Sequence, residues 1–297
     1  MKSLRIQSVL FRNGKADVNR SLMHLWNSVR VAQQANMFSQ VFLALGDCSP
    51  TAVFTNEEVE ALHLASLDYG VSKITYDFFG ANLGSAGGHN RLLKDLSTDY
   101  ALILNPDTLV ASDLFVELVK PFSDPRVAVV EAKQIPLEHP KDYDEITGDT
   151  GWVSTACAMV LSSAIKEVNG FDADTFFLYC DDVDFSWRLR LLGHRLVFQP
   201  SAAVFHDKRL SITGEWMAGD AERYHAALAA MLLAHKYSRS DLAKRIFSDL
   251  SMNGDMHQKK AALDYSKRES EGILPNQLDP QHKVAQFLGG FYAPHRF

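Results

Sequence analysis

The chain has 297 residues, a hydrophobic content of 46% and a formal net charge of −6. It can therefore bury a large core, and it lacks the basic surplus that a nucleic-acid partner requires. Free nucleotides remain acceptable ligands at a pI near 6.0, because a metal ion can supply the positive charge that they need.

Strands and helices alternate over roughly the first 130 residues, a pattern that predicts a mostly parallel sheet with helices on both faces. The predicted strands cover residues 4–10, 41–45, 100–104 and 127–132, and the predicted helices lie near 22–29, 56–65, 91–97 and 113–119. Ligands of such sheets bind at the carboxyl ends of the strands. Asp47 and Asp107 both fall at such ends, so we expect one cleft to hold both.

The second half begins with an apolar stretch at 151–161 and a helix at 183–192. Two short strands, 196–198 and 202–205, are predicted on either side of Pro200. From about residue 216 the pattern becomes helical, with helices at 227–233 and 240–250 and a polar, then mixed, tail from 251. We therefore expect an α/β domain over residues 1–215 and a helical extension over 216–297.

Compartment is suggested by the cysteines and by the N-terminus. Cys48, Cys157 and Cys180 form no CxxC pair, which suits a reducing cytosol and predicts neither a zinc site nor a disulfide framework. The N-terminus lacks the apolar core of a signal peptide, and no apolar run approaches the roughly 20 residues that span a bilayer. We expect a cytoplasmic protein, with a peripheral contact at the inner membrane face left open.

The segment Asn105-Pro106-Asp107-Thr108 follows an entirely apolar strand. Pro106 cannot continue a central strand, so Asp107 should be fixed where the strand ends. Mg²⁺ or Mn²⁺ takes one or two carboxylates and fills its other positions with phosphate oxygens and water. The alternative is an aspartate that caps the next turn.

Three carboxylates, Asp181, Asp182 and Asp184, occur within four residues at the start of a predicted helix. They repel one another unless a cation, helix N–H groups or a substrate compensates them. Asp184 can pair with Arg188 one turn later. Asp181 and Asp182 then either cap the helix or act in the cleft, where crowding raises a carboxyl pKa towards that of a general base.

His206 closes an apolar strand and is followed by Asp207, Lys208 and Arg209. Together with Asp107 it is a candidate metal ligand, and Lys208 and Arg209 are placed to contact a diphosphate. The alternative is an ordinary histidine at a strand end.

A glycine-rich segment, residues 82–90, allows a ligand to approach the backbone and opens a helix. No clear strand precedes it, so a Rossmann dinucleotide site is not expected.

With these segments in this order along its sequence, the chain resembles the family 2 glycosyltransferases of the GT-A fold, in particular the rhamnosyltransferase-like branch. The similarity runs from about residue 4 to 206 and weakly to about 237. The matching segments are Asn82-Leu83-Gly84, Ala86-Gly87-Gly88-His89-Asn90, Leu104-Asn105-Pro106-Asp107-Thr108, Gly170-Phe171-Asp172, Phe176-Phe177-Leu178-Tyr179, Asp181-Asp182-Val183-Asp184 with Arg188, and His206.

The resemblance implies an inverting transfer from a nucleoside-diphosphate sugar, either dTDP-rhamnose or a UDP-sugar, to a glycan or lipid-linked glycan. Asp107 and His206 would hold Mg²⁺ or Mn²⁺, Asp182 would be the catalytic base, and Asp181 would support it or orient the acceptor. Trp152 would stack on an acceptor sugar or else pack in the core. The donor-binding residues would be Arg12, Asp47, Asn82, Gly84, Gly87, Asn90, Asn105, Lys208 and Arg209.

The chain departs from the family in two places. Asp47 is shifted by one position from the usual acidic residue after the second strand, which leaves the nucleobase open, and the end of the first strand also differs. The Gln-x-x-Arg-Trp motif and membrane helices of processive synthases are not found, so we expect one or a few sugars to be added.

Two other functions compete with this one. A sugar nucleotidyltransferase would carry a glycine-dense N-terminal loop. Residues 10–15 resemble such a loop only weakly, because they lack its glycine density. A catalytically silent binding subunit of a glycan-assembly complex would not need the carboxylates. Three roles stay open for the helical extension: packing on the catalytic domain, forming a homodimer contact, or touching the membrane.

Overall fold

A computed structural model describes residues 1–139, 141–206 and 218–293. The strands are β1 Lys2–Leu10, β2 Phe38–Asp47, β3 Lys73–Phe78, β4 Tyr100–Leu104, β5 Thr108–Val110, β6 Val127–Ile135, β7 Cys157–Leu161 and β8 Arg195–His206. The helices are α1 Lys15–Gln34, α2 Asn56–Leu67, α3 Gly84–Leu93, α4 Leu114–Val119, α5 Ser162–Glu167, α6 Asp181–Leu191, α7 Asp220–Lys236, α8 Ser240–Asn253 and α9 Met256–Ser270.

The described strands form one eight-stranded sheet in the order β3-β2-β1-β4-β7-β6-β8-β5. Strands β3, β2, β1 and β4 are parallel, as predicted. In the other half, β7 runs antiparallel to β4 and β6, β6 and β8 are parallel, and β5 is antiparallel to β8. The sheet is therefore mixed. The sequence did not reveal the direction of β7, because a buried apolar run has the same composition in a parallel and in an antiparallel strand.

Strand β3 and helix α3 differ from the prediction. Strand β3 was not predicted, since as an edge strand it buries little of its sequence. The glycine-rich segment 82–90 is mostly helix, because α3 begins at Gly84 and not near residue 91 as predicted. Glycine is a poor helix former, but a Cβ on Gly88 would lie 2.7 Å from Val9 Cγ1. Close packing of α3 on β1 therefore requires glycine at position 88.

Strand β8 is continuous through Pro200, where two short strands were predicted. Its pairing with β6 jumps from Ala132–Gln199 to Lys133–Ala203. The extra residues leave the proline out of the ladder, so its missing N–H breaks no hydrogen bond.

The helices α7–α9 share a hydrophobic core with α6. Trp187 of α6 packs edge-on against Tyr237, which follows α7, with ring centroids 4.7 Å apart. Helix α9 was missed because its sequence is polar, although Asp255 and Gln258 form a capping box that signals its start. None of the described helices is long and apolar enough to cross a membrane. The division at residue 215 stays a prediction.

Candidate active site

A pocket of about 380 Å³ opens where β1 and β2 end. The backbone N–H of Arg12 donates to Ser49 Oγ (2.8 Å), which joins the loops that follow the two strands. Arg12 thus lies in a pocket at the carboxyl ends of parallel strands, and donor binding by Arg12 stays a prediction. The pocket is lined by Arg12, Asn13, Lys15, Ser49, Pro50, Thr51, Ala52 and Val53.

Asp47 lies buried at the end of β2, directly behind this pocket. Its carboxylate accepts hydrogen bonds from the N–H groups of Ser49 and Val53, both at 2.8 Å, and from the hydroxyl of Tyr76. Burial alone would raise the pKa of Asp47, but these hydrogen bonds lower it below its ordinary value. Asp47 therefore shapes the loop that lines the pocket, and direct contact with a donor stays a prediction.

Asp107 and His206 lie next to each other, and metal binding by the two stays a prediction. Strand β5 places Thr108 opposite His206 on β8, and His206 Nε2 lies 3.4 Å from Asp107 Oδ1. Asn105 Nδ2 lies 3.4 Å from the same nitrogen. All three predicted residues at the end of β4 and β8 are thus brought together.

The ring of His206 is oriented by a residue that the sequence did not reveal, Gln134 at the end of β6. Its Oε1 lies 2.7 Å from His206 Nδ1. When Nδ1 donates to that oxygen, the lone pair of Nε2 faces Asp107, which is the tautomer that a metal ligand needs.

The donor set at this point fits Mg²⁺ or Mn²⁺ only with help from substrate. Within the described residues, no group of three or more His, Cys, Asp or Glu side chains could hold a metal. One carboxylate and one imidazole suit a cation that keeps waters and binds phosphate oxygens. Lys208 and Arg209, predicted to contact the diphosphate, lie outside the described residues.

The acidic cluster begins directly after two residues in the left-handed region, Tyr179 (φ 68°) and Cys180 (φ 58°). Non-glycine residues adopt this conformation at a cost, and they do so mainly where surrounding structure imposes it, often at functional sites. Asp181 and Asp182 then form the first turn of α6, where exposed helix N–H groups favour negative charge.

Asp181 is the more buried of the two acids. Its Oδ2 accepts no hydrogen bond from any described residue. Burial, and then the charge of Asp182, raises the pKa of Asp181 to about 7, while a hydrogen bond from Ser85 opposes the rise. Asp182 is half-buried and accepts the N–H of Val183 at 2.9 Å. The two carboxyl groups therefore differ in environment, a common property of acid–base pairs in active sites.

Asp184 is not part of this pair. It is buried and lies 2.7 Å from Arg188 Nε, as predicted, and 2.5 Å from Lys236 Nζ of α7. Because both cations compensate its charge, Asp184 fixes α6 to its surroundings.

The glycine-rich segment meets the acidic segment at the start of α3. Asn82 Oδ1 accepts the N–H of Gly84 at 3.1 Å, and the N–H of Ser85 donates to the carbonyl oxygen of Phe177 at 3.0 Å. Gly84 has φ +69°, and a Cβ there would lie 2.1 Å from that carbonyl oxygen. Only glycine allows this approach.

Two other predicted donor-binding residues make contacts within the protein. The side-chain amide of Asn90 donates to the carbonyl oxygen of Phe171 at 2.7 Å and accepts its N–H at 2.8 Å. A Cβ on Gly87 would lie 3.3 Å from Leu83 Cβ, so the first turn of α3 is tightly packed. Donor contacts by either residue stay predictions.

Solved structures with a similar fold include two glycosyltransferases. A mannosyltransferase of Pyrobaculum calidifontis, solved with GDP-Man and Mn²⁺, matches over 95% of this chain and 78% of its own, with 13% identity and a TM-score of 0.56. GalNAc-T7, solved with UDP, GalNAc and Mn²⁺, matches over 92% and 57%, with 13% identity and a TM-score of 0.64. These likenesses show the fold.

Sequence comparison points the same way, although no model of a known protein family matches the chain. The pre-mycofactocin glycosyltransferase of Mycobacterium tuberculosis is 30% identical over 171 residues, covering 51% of this chain and 36% of that protein. The N-acetylglucosaminyl-diphospho-decaprenol L-rhamnosyltransferase of the same organism is 39% identical over 88 residues, covering 30% and 28%. Rhamnosyltransferase WbbL of Escherichia coli is 28% identical over 174 residues, covering 48% and 65%.

The chain is a relative of the GT-A glycosyltransferases, with rhamnosyltransferases among its homologues. The predicted fold class is thereby confirmed. The chain spans less than two thirds of the length of each of these three sequence relatives.

Within this GT-A fold, Trp152 has the contacts of a core residue. It is 5% exposed, with Lys141 Nζ 4.2 Å from its ring centroid and Tyr292 packed edge-on at 5.2 Å. An acceptor sugar could stack on it only if these neighbours moved. Another aromatic residue, Phe177, is 36% exposed beside the acidic cluster and stacks on His225 of α7 at 4.8 Å.

Phe177 and His225 were not predicted as site residues. Phe177 lies within a motif used for the resemblance, but His225 lies in the extension and carries no sequence signal of its own.

Proposed function

We propose that the protein is an inverting, non-processive glycosyltransferase that moves a sugar from a nucleoside-diphosphate donor to a glycan or lipid-linked glycan. The proposal rests mainly on the Asp107–His206 pair, in which His206 Nε2 lies 3.4 Å from Asp107 Oδ1 at the carboxyl end of β4. An imidazole and a carboxylate at this edge suit the diphosphate end of such a donor when a cation joins them.

Asp107 and His206 would hold the divalent cation, Mg²⁺ or Mn²⁺. Bound there, the cation would supply positive charge to the departing diphosphate. The residues of the chain do the rest of the positioning: Gln134 fixes the imidazole tautomer, and Asn105 adds an amide beside Nε2. Support also comes from the two solved neighbours, whose structures contain Mn²⁺.

Asp182 would act as the general base, taking the proton from the acceptor hydroxyl as that oxygen attacks the anomeric carbon. Attack from the face opposite the leaving diphosphate inverts the configuration at that carbon. Asp181, with its pKa raised to about 7, is largely protonated at slightly acid pH. In that form it adds little repulsion to Asp182 and can donate a hydrogen bond to the acceptor.

The donor would be dTDP-rhamnose or a UDP-sugar, and the acceptor would be a glycan or a lipid-linked glycan. The names of two relatives support rhamnose as the sugar, and one of those names contains a decaprenol-linked acceptor. The solved neighbours hold GDP-Man in one case and UDP in the other, so the fold accepts both purine and pyrimidine donors.

The first test is a thermal-shift measurement with UDP-, dTDP- and GDP-sugars, each with and without Mn²⁺. We expect a stabilisation by one nucleotide that grows when Mn²⁺ is added, since ligands that bind only the folded state raise its stability. Absence of any shift from correctly folded protein would favour a silent binding subunit instead.

The second test concerns Asp182→Asn, which removes the base while keeping the shape of the side chain. With the donor found above, we expect turnover to fall by about 10²–10⁴-fold, the usual contribution of a positioned base, with the donor-induced shift retained. Asp113→Asn, at an exposed position before α4, serves as the matched control. Equal loss of donor binding and turnover would make Asp182 a binding or structural residue.

A further inference from the structure

The outer face of α9 combines exposed apolar and basic side chains. Its exposed positions from 256 to 267 follow helical spacing, so they form one stripe along the helix. Met256 is 76% and Leu263 70% exposed, values far from those of core residues. Met252, at the end of α8 and four residues before Met256, is also exposed (67%). The stripe, called here the α9 face, consists of Met256, Lys259, Lys260, Leu263 and Lys267.

The acidic residues of this region are mostly directed elsewhere. Asp264 receives a hydrogen bond from the hydroxyl of Tyr224 on α7 at 2.6 Å, and Asp255 caps α9 and pairs with Arg223. Glu271 lies 3.8 Å from Lys267, at the far end of the stripe. The middle of the α9 face is therefore positive, although the whole chain carries a net charge of −6.

The α9 face adjoins the candidate active site through a chain of ring contacts. Lys260 Nζ lies 5.2 Å from the ring centroid of Tyr224, and Tyr224 packs against His225 at 4.9 Å. His225 in turn stacks on Phe177 at 4.8 Å, four residues before Asp181. Three contacts in series therefore connect Lys260 of the α9 face to the segment that precedes the acidic cluster.

We infer that the α9 face docks on an anionic lipid bilayer. Met256 and Leu263 enter the headgroup region, and the surrounding lysines contact lipid phosphates. The chemistry is that of interfacial helices, in which a few apolar side chains between cations bind weakly to neutral lipid and more strongly to anionic lipid. A protein partner would have to match this charge, whereas an anionic bilayer matches it along the full stripe.

The experiment is co-sedimentation of the purified chain with vesicles of phosphatidylcholine alone and of phosphatidylcholine mixed with phosphatidylglycerol. We expect binding to the mixed vesicles that weakens with added salt, since screening shortens the reach of surface charges. No donor or acceptor is present, so the outcome does not depend on the transferase proposal.

Two pairs of variants test whether the α9 face is responsible. Lys259→Gln with Lys267→Gln is expected to weaken binding by roughly 25-fold, about fivefold for each lysine near an anionic surface. The control is Lys73→Gln with Lys94→Gln, which changes the net charge equally at exposed positions on β3 and beyond α3. Leu263→Ser is expected to weaken binding by about tenfold, and Leu64→Ser on α2, at a side chain 58% exposed, is its control.

Three results would overturn the inference. They are failure of the wild-type chain to bind mixed vesicles, equal binding to neutral vesicles, and equal losses in the face variants and their controls. Size-exclusion chromatography with light scattering tests whether a second copy of the chain binds the α9 face instead. A dimer that Leu263→Ser dissociates would show that it does and would also overturn the inference.

Discussion

The N–H of Ser85 donates a hydrogen bond to the carbonyl oxygen of Phe177, across 3.0 Å. This bond joins the start of α3 to the segment that leads into the acidic cluster, 92 residues later in the chain. The side chain of the same serine also acts to lower the pKa of Asp181. The loop that we propose for the donor and the acids that we propose for the acceptor side therefore share one residue as their support.

Gly84→Ala should disrupt this junction. The new methyl group would lie 2.1 Å from the carbonyl oxygen of Phe177 at a φ of +69°, so we expect the free energy of unfolding to fall by about 3 kcal/mol or more. Gly272 has the same φ of +69° with open space around it, and Gly272→Ala should cost only about 1 kcal/mol. Urea unfolding measures both; similar losses would mean that the close approach to Phe177 is unimportant.

Gln134→Leu should weaken metal binding without touching a ligand. Loss of the contact between Oε1 and His206 Nδ1, 2.7 Å in the wild type, frees the ring to rotate and to change tautomer. We expect the affinity for Mn²⁺, in the presence of the preferred nucleotide, to fall by about 10–100-fold. Electron paramagnetic resonance of free Mn²⁺ measures this, with Gln40→Leu at an exposed position on β2 as control. Unchanged affinity would exclude a role for Gln134 in orienting His206.

Asp181→Asn should stabilise the protein increasingly as pH rises. The pKa of Asp181 is raised from 3.8 to about 7 in the folded state, so folding favours the protonated carboxyl. Its contribution to stability is fully present below pH 3.8 and is lost as pH rises towards the folded value, by about 1.4 kcal/mol per pH unit at most. The variant lacks this loss.

Urea unfolding of the wild type and of Asp181→Asn over the same pH series isolates the effect. Glu131, whose pKa burial also raises to about 7, contributes equally to both curves and cancels in the difference. A difference that does not change between pH 4 and pH 7 would contradict a raised pKa for Asp181.

Lys236→Met should be strongly destabilising. Its ammonium group is buried, 2.6 Å from Asp172 Oδ2 and 2.5 Å from Asp184 Oδ1. Without it, two carboxylates lose a cation that compensates their burial, and we expect a cost of about 3–5 kcal/mol. Lys267→Met removes an exposed partner of Glu271 and should change stability by less than about 0.5 kcal/mol. Thermal and urea unfolding of both variants provide the comparison.

The sequence predicted the parts of the site that depend on local order. Apolar strands followed by Asp47, Asp107 and His206 place those residues at strand ends whatever the rest of the fold does. The pairing of Asp184 with Arg188 likewise needs only helical spacing, and the structure confirms it at 2.7 Å.

Features that depend on contacts between distant segments were missed. Gln134 meets His206 only because β6 and β8 are neighbours, and no spacing along the chain reveals that. The direction of β7 and the extension's contact with Phe177 through His225 have the same cause. Helix α9 was missed for a different reason: its stripe of exposed lysines and apolar residues hides the period that its few buried residues follow.

The buried position of Lys236 also determines how this chain can be recombined with its relatives. A hybrid that took its first 206 residues from this chain and its remainder from another would keep Asp172 and Asp184 but lose Lys236, unless the other parent supplies a cation at the same place. A sequence boundary between the α/β part and the helices is therefore a poor crossover point. Exchanges should instead keep α6 and α7 from the same parent and place the junctions in exposed loops of the sheet.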